Sequence, residues 1–366
     1  MSKQKQNDLA TTFQVRLYPT PEQSRLLMAH CQEYIQTVNV LASAIDADLL
    51  PEKASTKDFV AALPSIVKNQ ALRDAHSVFK RSLELTVLPV LKKPICQWNN
   101  QNWRITQGTL IIPVWLDGKT QQIHIPCADV IFPEGKHGLL RIKKKRGKWI
   151  ADITIILPEV SAVESDKVMG VDLGIKVPAV SYTPGYGGKF FGNGRYQRAK
   201  RRQFYAHRKR LQKAKKIRAI RKSQGKETRW MTNINHQLSR QIVNHAHTQG
   251  VGIIRLETLT GIRQGTTRTS RGAKARKNNR MMATWSFFQL TTFIRYKAAR
   301  LGIRVEQVDP AYTSQLCPAC GAKNKADDRT YMCRDCCWLG HRDLVGAINL
   351  SRRTGTPGHR ECATGA

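Results

Sequence analysis

The chain of 366 residues is long enough for two or three domains, and 61 Lys and Arg against 26 Asp and Glu give it a formal charge of +35. Such an excess of positive charge favours a polyanionic partner, with a membrane surface as the less specific alternative. The sequence has no run of about 18 apolar residues, which argues against a transmembrane helix, and its first residues lack the apolar core of a signal peptide. We therefore expect an intracellular protein whose thiols stay reduced.

The first half of the chain combines strand and helix patterns. Residues 12–20 alternate apolar and polar side chains, which predicts a short strand, and the sequence TPEQ at 20–23 predicts a helix with Thr20 as its N-cap. A second helical region spans about 56–86 and is interrupted near Pro64. These segments predict helices inserted after the first strand of a small β module.

Residues 97–158 have the alternating pattern of strands joined by tight turns. Asp117-Gly118 and Arg146-Gly147 each separate two alternating runs, and such pairs are typical of two-residue hairpin turns. The β module is therefore expected to contain two hairpins.

From residue 166 the pattern becomes α/β. Residues 261–280 are basic, free of acids and rich in Gly, Thr and Ser, which predicts a mobile loop, and the tail at 353–366 is predicted to be disordered. The other predicted elements are a strand around Asp172, two strands around a glycine-rich turn, helices at 195–222, 227–248 and 284–302, strands at 251–259 and 303–308, and a short final helix.

The positions of the acidic residues are the most informative pattern in the second half. Between Arg195 and Arg300 the chain has only two acids, Glu227 and Glu257. Glu227 lies in the first turn of a predicted helix, where the helix dipole accounts for a carboxylate. Glu257 ends a hydrophobic strand and Asp172 lies within another, and in both places an unpaired carboxylate is costly.

Each acid also has a structural explanation. Glu257 could form a salt bridge with a nearby arginine, Asp172 could cap a turn before Gly174, and Asp343 could be the N-cap of the last helix. Taken together, however, a strand Asp, a later strand Glu and a helix Asp follow the order of acids in the RNase H/RuvC nuclease fold. Converging carboxylates would repel one another unless divalent cations neutralised them, and oxygen ligands suit Mg²⁺ or Mn²⁺. Two such ions can activate water for phosphodiester hydrolysis.

Two CxxC pairs near the end of the chain frame a loop of twelve residues. Four thiolates at this spacing fit a closed tetrahedral zinc site that serves a structural purpose. The neighbouring Cys337 and His341 leave the fourth ligand open, and the spacing of the second pair favours Cys336. The expected zinc ligands are Cys317, Cys320, Cys333 and Cys336.

The segment 195–222 contains fourteen Lys and Arg and no acid. A solvated helix face is the alternative, but this much charge needs phosphate to offset its self-repulsion. The basic residues of 261–280 would either close over nucleic acid or form only a linker. The expected nucleic-acid contacts are Arg201, Arg202, Arg208, Lys209, Arg210, Lys213, Lys216, Arg271, Lys274 and Arg276.

Several stretches between residue 13 and about 350 share motifs with one known family. They are FQVRLYPTPEQ at the start, GVDLGIK around Asp172, IIRLETLTGI around Glu257, VDPAYTSQLCPACG, the second CxxC, and HRDLVGAINL around Asp343. Together they resemble the transposon-encoded TnpB proteins, which are related to compact type V CRISPR effectors. Residues of about 50–160 match that family only in layout.

The resemblance implies an RNA-guided DNA endonuclease of the prokaryotic cytoplasm that acts at the nucleoid. Such a protein binds a guide RNA from the transposon end and cuts target double-stranded DNA beside a short motif at one RuvC site. Asp172, Glu257 and Asp343 are then the magnesium-binding catalytic acids, and the four cysteines are the zinc ligands.

The implied fold class is α/β plus β. An RNase H-like RuvC domain with an inserted Cys₄ zinc finger would follow a β-barrel wedge module that contains a helical recognition insertion. The implied boundaries are 1–19 and 88–165 for the wedge, 20–87 for the helical insertion, 166–312 and 341–352 for RuvC, and 313–340 for the zinc finger.

Other functional classes stay open at this point. An unguided RuvC-type resolvase or DDE-type transposase would use the same chemistry, although it would not need so long a basic helix. An RNA-guided DNA-binding regulator with weak or no cleavage would not need three acids. A structural zinc-ribbon protein that binds RNA leaves Asp172 and Glu257 unexplained.

The charge excess predicts that nucleic-acid affinity falls steeply with salt. A protein that makes about 6–10 phosphate contacts loses about 10³–10⁵-fold in affinity between about 50 and 200 mM salt, because bound counterions are released. Fluorescence anisotropy with a labelled RNA across this range measures the slope, and a flat response would contradict the prediction.

Overall fold

The computed structural model describes residues 9–51, 53–158, 160–259, 286–326 and 329–353. Arg271, Lys274 and Arg276, with the rest of the predicted basic loop, lie outside the described residues, as does the predicted disordered tail from residue 354. The chain divides into two compact units, Met1–Glu159 and Val160–Ala366. None of the described helices combines the length and the apolarity that a bilayer span requires.

The first unit consists of two antiparallel sheets and a pair of helices. β1, β7, β6 and β2 form one sheet in that order, and β3, β4 and β5 form the other. β1 pairs with β7 along its whole length although both helices lie between them in sequence, so the helices do follow the first strand. The elements are β1 (Leu9–Leu17), α1 (Pro21–Asp46), α2 (Ser65–Leu85), β2 (Ile95–Trp98), β3 (Arg104–Thr106), β4 (Thr109–Leu116), β5 (Lys119–Pro126), β6 (Lys136–Lys145) and β7 (Lys148–Leu157).

Local sequence signals in this unit are confirmed. The Thr20 hydroxyl accepts a hydrogen bond from the Gln23 amide at 3.2 Å, and the Gln23 side chain accepts one from the Thr20 amide at 3.1 Å, which completes the capping box. Asp117-Gly118 and Arg146-Gly147 join β4 to β5 and β6 to β7, and all four residues have φ between 51° and 76°. These positive angles are the ones that two-residue hairpin turns require.

The second helical region is shorter than the predicted 56–86. α2 begins only at Ser65, and Pro64 occupies its N-cap position. A helix that ran through residue 64 would lose a hydrogen bond there, because proline has no amide hydrogen. The residue before a proline is also disfavoured in the helical region, so the helix starts after Pro64.

The expected β-barrel is not found, because the strands that the structure describes form two open sheets. To close a barrel, another strand would have to form hydrogen bonds with the backbone of β4. Two side chains occupy those backbone groups instead. The Trp98 indole donates to the Pro113 carbonyl at 2.9 Å, and the His30 ring accepts from the Trp115 amide at 2.8 Å. Pro113 itself has no amide hydrogen to offer to a neighbouring strand. An isolated antiparallel β-bridge, between Leu17 and Cys127, connects the two sheets.

The second unit is built on a five-stranded sheet of mixed direction. Its order is β10-β9-β8-β11-β12. β8, β11 and β12 run parallel to one another, β9 is antiparallel to β8, and β10 is antiparallel to β9. Its elements are β8 (Val168–Asp172), β9 (Ala179–Thr183), β10 (Gly187–Phe191), α3 (Gly194–Lys213), α4 (Ile217–Ser223), α5 (Lys226–Thr248), β11 (Ile253–Glu257), α6 (Phe287–Ala299), β12 (Arg304–Val308), β13 (Thr330–Met332), β14 (Leu339–His341) and α7 (Arg342–Arg352).

The basic helix predicted for 195–222 is broken in two. α3 ends at Lys213, Lys215 adopts φ 50°, and α4 begins at Ile217. A residue with positive φ cannot continue a right-handed helix. The break falls in a run of lysines that no acid offsets, where like charges at helical spacing are destabilising.

The sheet separates an apolar face from a face that carries the acids. Met169 and Val171 of β8 and Leu256 of β11 belong to the hydrophobic core that also includes residues of α5 and α6. Because side chains alternate along a strand, Asp172 and Glu257 lie on the opposite face, which α7 covers. The acids therefore stay out of the hydrophobic core.

Helix α7 lies in near backbone contact with β8. A Cβ atom added to Gly170 would lie 2.1 Å from the Ala347 carbonyl oxygen and 2.4 Å from the Ser351 amide nitrogen. Arg255 of β11 then donates to the Ser351 carbonyl at 3.1 Å and holds the last turn of the helix. The close approach packs α7 directly on β8, and Arg255 connects its last turn to β11.

We predict that Gly170→Ala displaces α7 and lowers stability by about 1–3 kcal/mol, because backbone atoms must move to admit the methyl group. Thermal unfolding measures the loss, at roughly 2–4 °C for each kcal/mol. Gly188→Ala in β10 is the matched control, because its Cβ would meet mainly the flexible end of Leu344. Equal melting temperatures for the two variants would contradict the prediction.

Candidate functional site

Asp172 and Glu257 are the last residues of two adjacent parallel strands. β8 ends at Asp172 and β11 ends at Glu257. The register pairs Val171 with Leu256, so the two acids occupy the next position on each strand. Parallel strands that end together place both carboxylates at one edge of the sheet, on the face that α7 covers.

Asp343 reaches the same edge from the first turn of α7. Gly346, three residues later, lies so close to Asp172 that an added Cβ would be 3.1 Å from the Asp172 carboxyl carbon. The N-cap of α7 is His341, whose Nδ1 accepts a hydrogen bond from the Asp343 amide at 3.2 Å. The alternative explanation of Asp343 as the N-cap is therefore wrong, and its carboxylate is not used for capping.

The electrostatics show that the three acids, which we call the acid cluster, act on one another. Burial raises the pKa of Asp172 well above its usual value, and the negative charges of Glu257 and Asp343 raise it further. Burial also raises the pKa of Glu257. Holding all three carboxylates ionised therefore requires added positive charge, which a divalent cation with oxygen ligands would supply.

Arg329 already supplies part of that charge. Its guanidinium forms an ion pair with the Asp343 carboxylate, and its charge lowers the pKa of Asp172 against the larger effects of burial and of the other acids. Within the described residues, only the four cysteines form a set of three or more potential ligands whose donor atoms all lie within 4.8 Å of one another. The acid cluster is therefore more open than the cysteine site.

The two CxxC pairs bring their four sulfur atoms together. Sγ–Sγ distances are 3.5 Å between Cys317 and Cys336 and 3.6 Å between Cys320 and Cys333. Ligands at about 2.3 Å in a tetrahedron would be about 3.8 Å apart, so the donor set fits zinc. The adjacent Cys337 is outside this set, with φ 58° and an exposed side chain.

The cysteine site also has hydrogen-bond donors of its own. The Cys336 backbone amide lowers the pKa of the Cys333 thiol to about 7, which favours the thiolate that binds metal. The buried Asn324 side chain donates to Cys333 Sγ at 3.3 Å and accepts from the Arg334 amide at 3.2 Å. Asn324 thus orients one cysteine from outside the ligand set, and the sequence pattern did not single it out.

Thr313 connects the start of the cysteine module (residues 313–341) to the acid cluster. Its hydroxyl, on a side chain only 3% exposed, donates to Glu257 Oε1 at 2.5 Å. Its carbonyl accepts from the Asn349 side chain at 2.7 Å, and that same amide group donates to the Leu316 carbonyl at 2.8 Å, directly before Cys317. Neither residue is singled out by the sequence pattern as a functional residue, although a polar Asn in the apolar stretch LVGAINL is a usable signal.

The basic residues expected to contact nucleic acid fall into two groups. Arg201 and Arg208 form ion pairs with Glu227 at 2.9 and 2.6 Å, and both arginines are half-buried. Partial burial opposes ionisation of Glu227, but these hydrogen bonds outweigh it and hold the pKa of Glu227 below its usual value. The other described residues of this set are exposed, namely Arg202, Lys209, Arg210 and Lys213 of α3 and Lys216 at the start of α4.

Comparisons with known proteins match these features to one family. The sequence model of the domain described as Cas12f1-like, TNB domain, matches residues 287–350, which include the cysteine module and most of α7. The chain is 29% identical over 225 residues to a CRISPR-associated endodeoxyribonuclease Cas12f1 of Sulfoacidibacillus thermotolerans, covering 57% of this chain and 50% of that protein. It is 34% identical over 134 residues to a TnpB-like protein of Methanocaldococcus jannaschii, covering 36% and 46%.

These matches support a relationship to TnpB proteins and compact type V effectors. It spans about half the length of the curated relatives it matches. A solved Cas12f1 chain, from a complex with guide RNA and target DNA, superposes with a TM-score of 0.70 at 13% identity and covers 94% of this chain and 99% of its own length. At that identity the likeness shows a shared fold.

We predict that Thr313→Val weakens binding of Mn²⁺ to the acid cluster by about tenfold, because Glu257 loses a buried hydrogen bond that fixes its carboxylate. Calorimetric titration of the zinc-loaded protein with Mn²⁺ measures the affinity. Thr313→Ser keeps the hydroxyl and is expected to restore wild-type binding. Unchanged affinity in the valine variant would show that Thr313 does not position Glu257.

Proposed function

We propose that the protein is an RNA-guided DNA endonuclease with an RNase H-like RuvC site formed by Asp172, Glu257 and Asp343. The convergence of these acids from two adjacent strand ends and the first turn of α7 is the observation that carries the proposal. The related Cas12f1 proteins are named endodeoxyribonucleases, and the solved Cas12f1 chain was bound to guide RNA and target DNA, which supports the same partners here. The charge of +35 suits those partners.

The chemistry we infer is metal-dependent phosphodiester hydrolysis. Mg²⁺ or Mn²⁺ bound by the acid cluster would activate water and stabilise the leaving oxygen. Thr313 holds the Glu257 carboxylate, and Gly346 allows α7 to approach Asp172. Arg329 balances the charge of Asp343. The four cysteines would hold a structural zinc ion that fixes the strand leading into α7.

The guide would be an RNA transcribed from the end of the host transposon, and cleavage would occur beside a short DNA motif. Two alternatives remain, an unguided RuvC or DDE-type transposase or resolvase, and an RNA-guided DNA-binding regulator with weak or no cleavage. Sequencing RNA that co-purifies with the protein from its native context tests guidance directly. A discrete RNA with a variable 3′ segment supports the proposal, whereas random RNA or none favours the unguided enzyme.

We predict that Asp172→Ala, Glu257→Ala and Asp343→Ala each reduce cleavage of a duplex matching the guide by more than about 100-fold, because each removes a ligand from the metal site. Cleavage is measured on labelled DNA with Mg²⁺, and RNA binding by the same variants is expected to be unchanged. Glu164→Gln is the control, since it neutralises an exposed acid of the same unit outside the cluster. Normal cutting by a variant that lacks all three acids would show that the active site lies elsewhere.

A further inference from the structure

A cavity of about 730 Å³ lies in the second unit, on the side of the sheet that packs against α5 and α6. It is lined by residues of α3, α5, the start of α6 and the loop that follows β8, and none of the three acids lines it. Gly174 and Ile175 of that loop come directly after Asp172 and Leu173. The volume lies within the range of about 300–1,000 Å³ that is usual for small-molecule sites.

One side of the cavity is apolar. Its side chains come from the loop after β8, from α5 and from α6. Leu238 and Leu290 also belong to the hydrophobic core of the unit. This side is therefore anchored to rigid elements. The apolar lining consists of Ile175, Pro178, Met231, Leu238 and Leu290.

The other side of the cavity is formed by arginines of α3 in two different states. Glu227 of α5 pairs with Arg201 and Arg208, which ties the two helices together. Arg195, Arg198 and Arg202 also line the cavity, and none of them forms an ion pair with any described residue. Among the described residues, these three guanidinium groups therefore add positive charge to the cavity that no ion pair offsets.

We propose that this cavity binds an unpaired nucleotide, with its base against the apolar side and its phosphate against Arg195, Arg198 and Arg202. The proposal rests on the proposed function and adds a nucleotide subsite to it. A base presents an apolar face, and guanidinium groups bind phosphate in a bidentate manner. A base-paired duplex would present only sugar and phosphate to the arginines and would leave the apolar side uncovered. Tyr205 also lines the cavity.

The location gives such a subsite a role in cleavage. Because Gly174 follows Asp172 by two residues, a strand whose base is bound in the cavity is held beside the loop that begins at the acid cluster. The bound nucleotide would then set which phosphodiester bond lies nearest to the acids.

Photo-crosslinking tests the subsite with the full-length protein. Single-stranded DNA containing 4-thiothymidine and RNA containing 4-thiouridine are irradiated with the protein, and mass spectrometry identifies the crosslinked peptides. We expect crosslinks in peptides that contain Tyr205 or Met231. Met231→Trp fills a partly exposed part of the cavity and is expected to lower their yield by at least about fivefold.

Charge-matched variants separate the subsite from general attraction. Arg202→Ala removes an exposed cation that lines the cavity, and Arg300→Ala removes one from the end of α6 that does not. The first is expected to lower the crosslink yield and the second to retain it, with thermal unfolding confirming that all variants fold. Equal yields in the two variants, or crosslinks that map elsewhere, would overturn the proposal.

Measuring guided cleavage in parallel distinguishes failure of the nucleotide subsite from failure of the proposed nuclease function. Cleavage of a matching duplex without crosslinks in the cavity would overturn the subsite and leave the proposed function standing. Crosslinks in the cavity without guided cleavage would support nucleotide binding there and count against the proposed nuclease.

Discussion

The close packing of α7 on β8 is the constraint on which the rest of the second unit depends. Gly170 lets backbone touch backbone along the helix, and Gly346 lets the helix pass beside Asp172. A helix moved away by the width of one methyl group would carry Asp343 away from the strand ends. Burial and, after it, the charges of Glu257 and Asp343 raise the pKa of Asp172, and burial raises the pKa of Glu257. The cost of holding these carboxylates ionised is acceptable where cations bind, which is why the packing and the proposed chemistry belong together.

The cysteine module contributes to the acid cluster from both of its ends. At its start, Thr313 contacts Glu257, and at its end β14 runs directly into α7, whose first turn carries Asp343. In between, the Arg329 carbonyl accepts from the Arg342 amide at 2.8 Å and its guanidinium pairs with Asp343. A module that only bound RNA would have no need of these contacts. A structural ion in the four cysteines would therefore stabilise the geometry of two of the three acids.

The sequence predicted those parts of the molecule in which neighbouring residues carry the information. Turn pairs, the capping box and the cysteine spacing are local signals, and the order of the acids indicated a shared site before any contact was known. Contacts between distant segments could not be predicted in the same way. Thr313 and Glu257 are 56 residues apart, and Thr313 looks like any loop threonine until the fold brings the two together. The sheet stays open at β4 because the side chains of Trp98 and His30 form the hydrogen bonds that a further strand would otherwise form.

The charges of α3 and α4 do not all have the same role. The segment 195–222 has fourteen cations and no acid, but Glu227, assigned from sequence only to the helix dipole, pairs with two of them across helices. The pairing fixes α3 against α5, whereas Arg195, Arg198 and Arg202 of α3 form no ion pair with a described residue. A single acid in a basic region therefore does more than reduce the net charge by one. It decides which cations stabilise the fold and which remain available to bind phosphate.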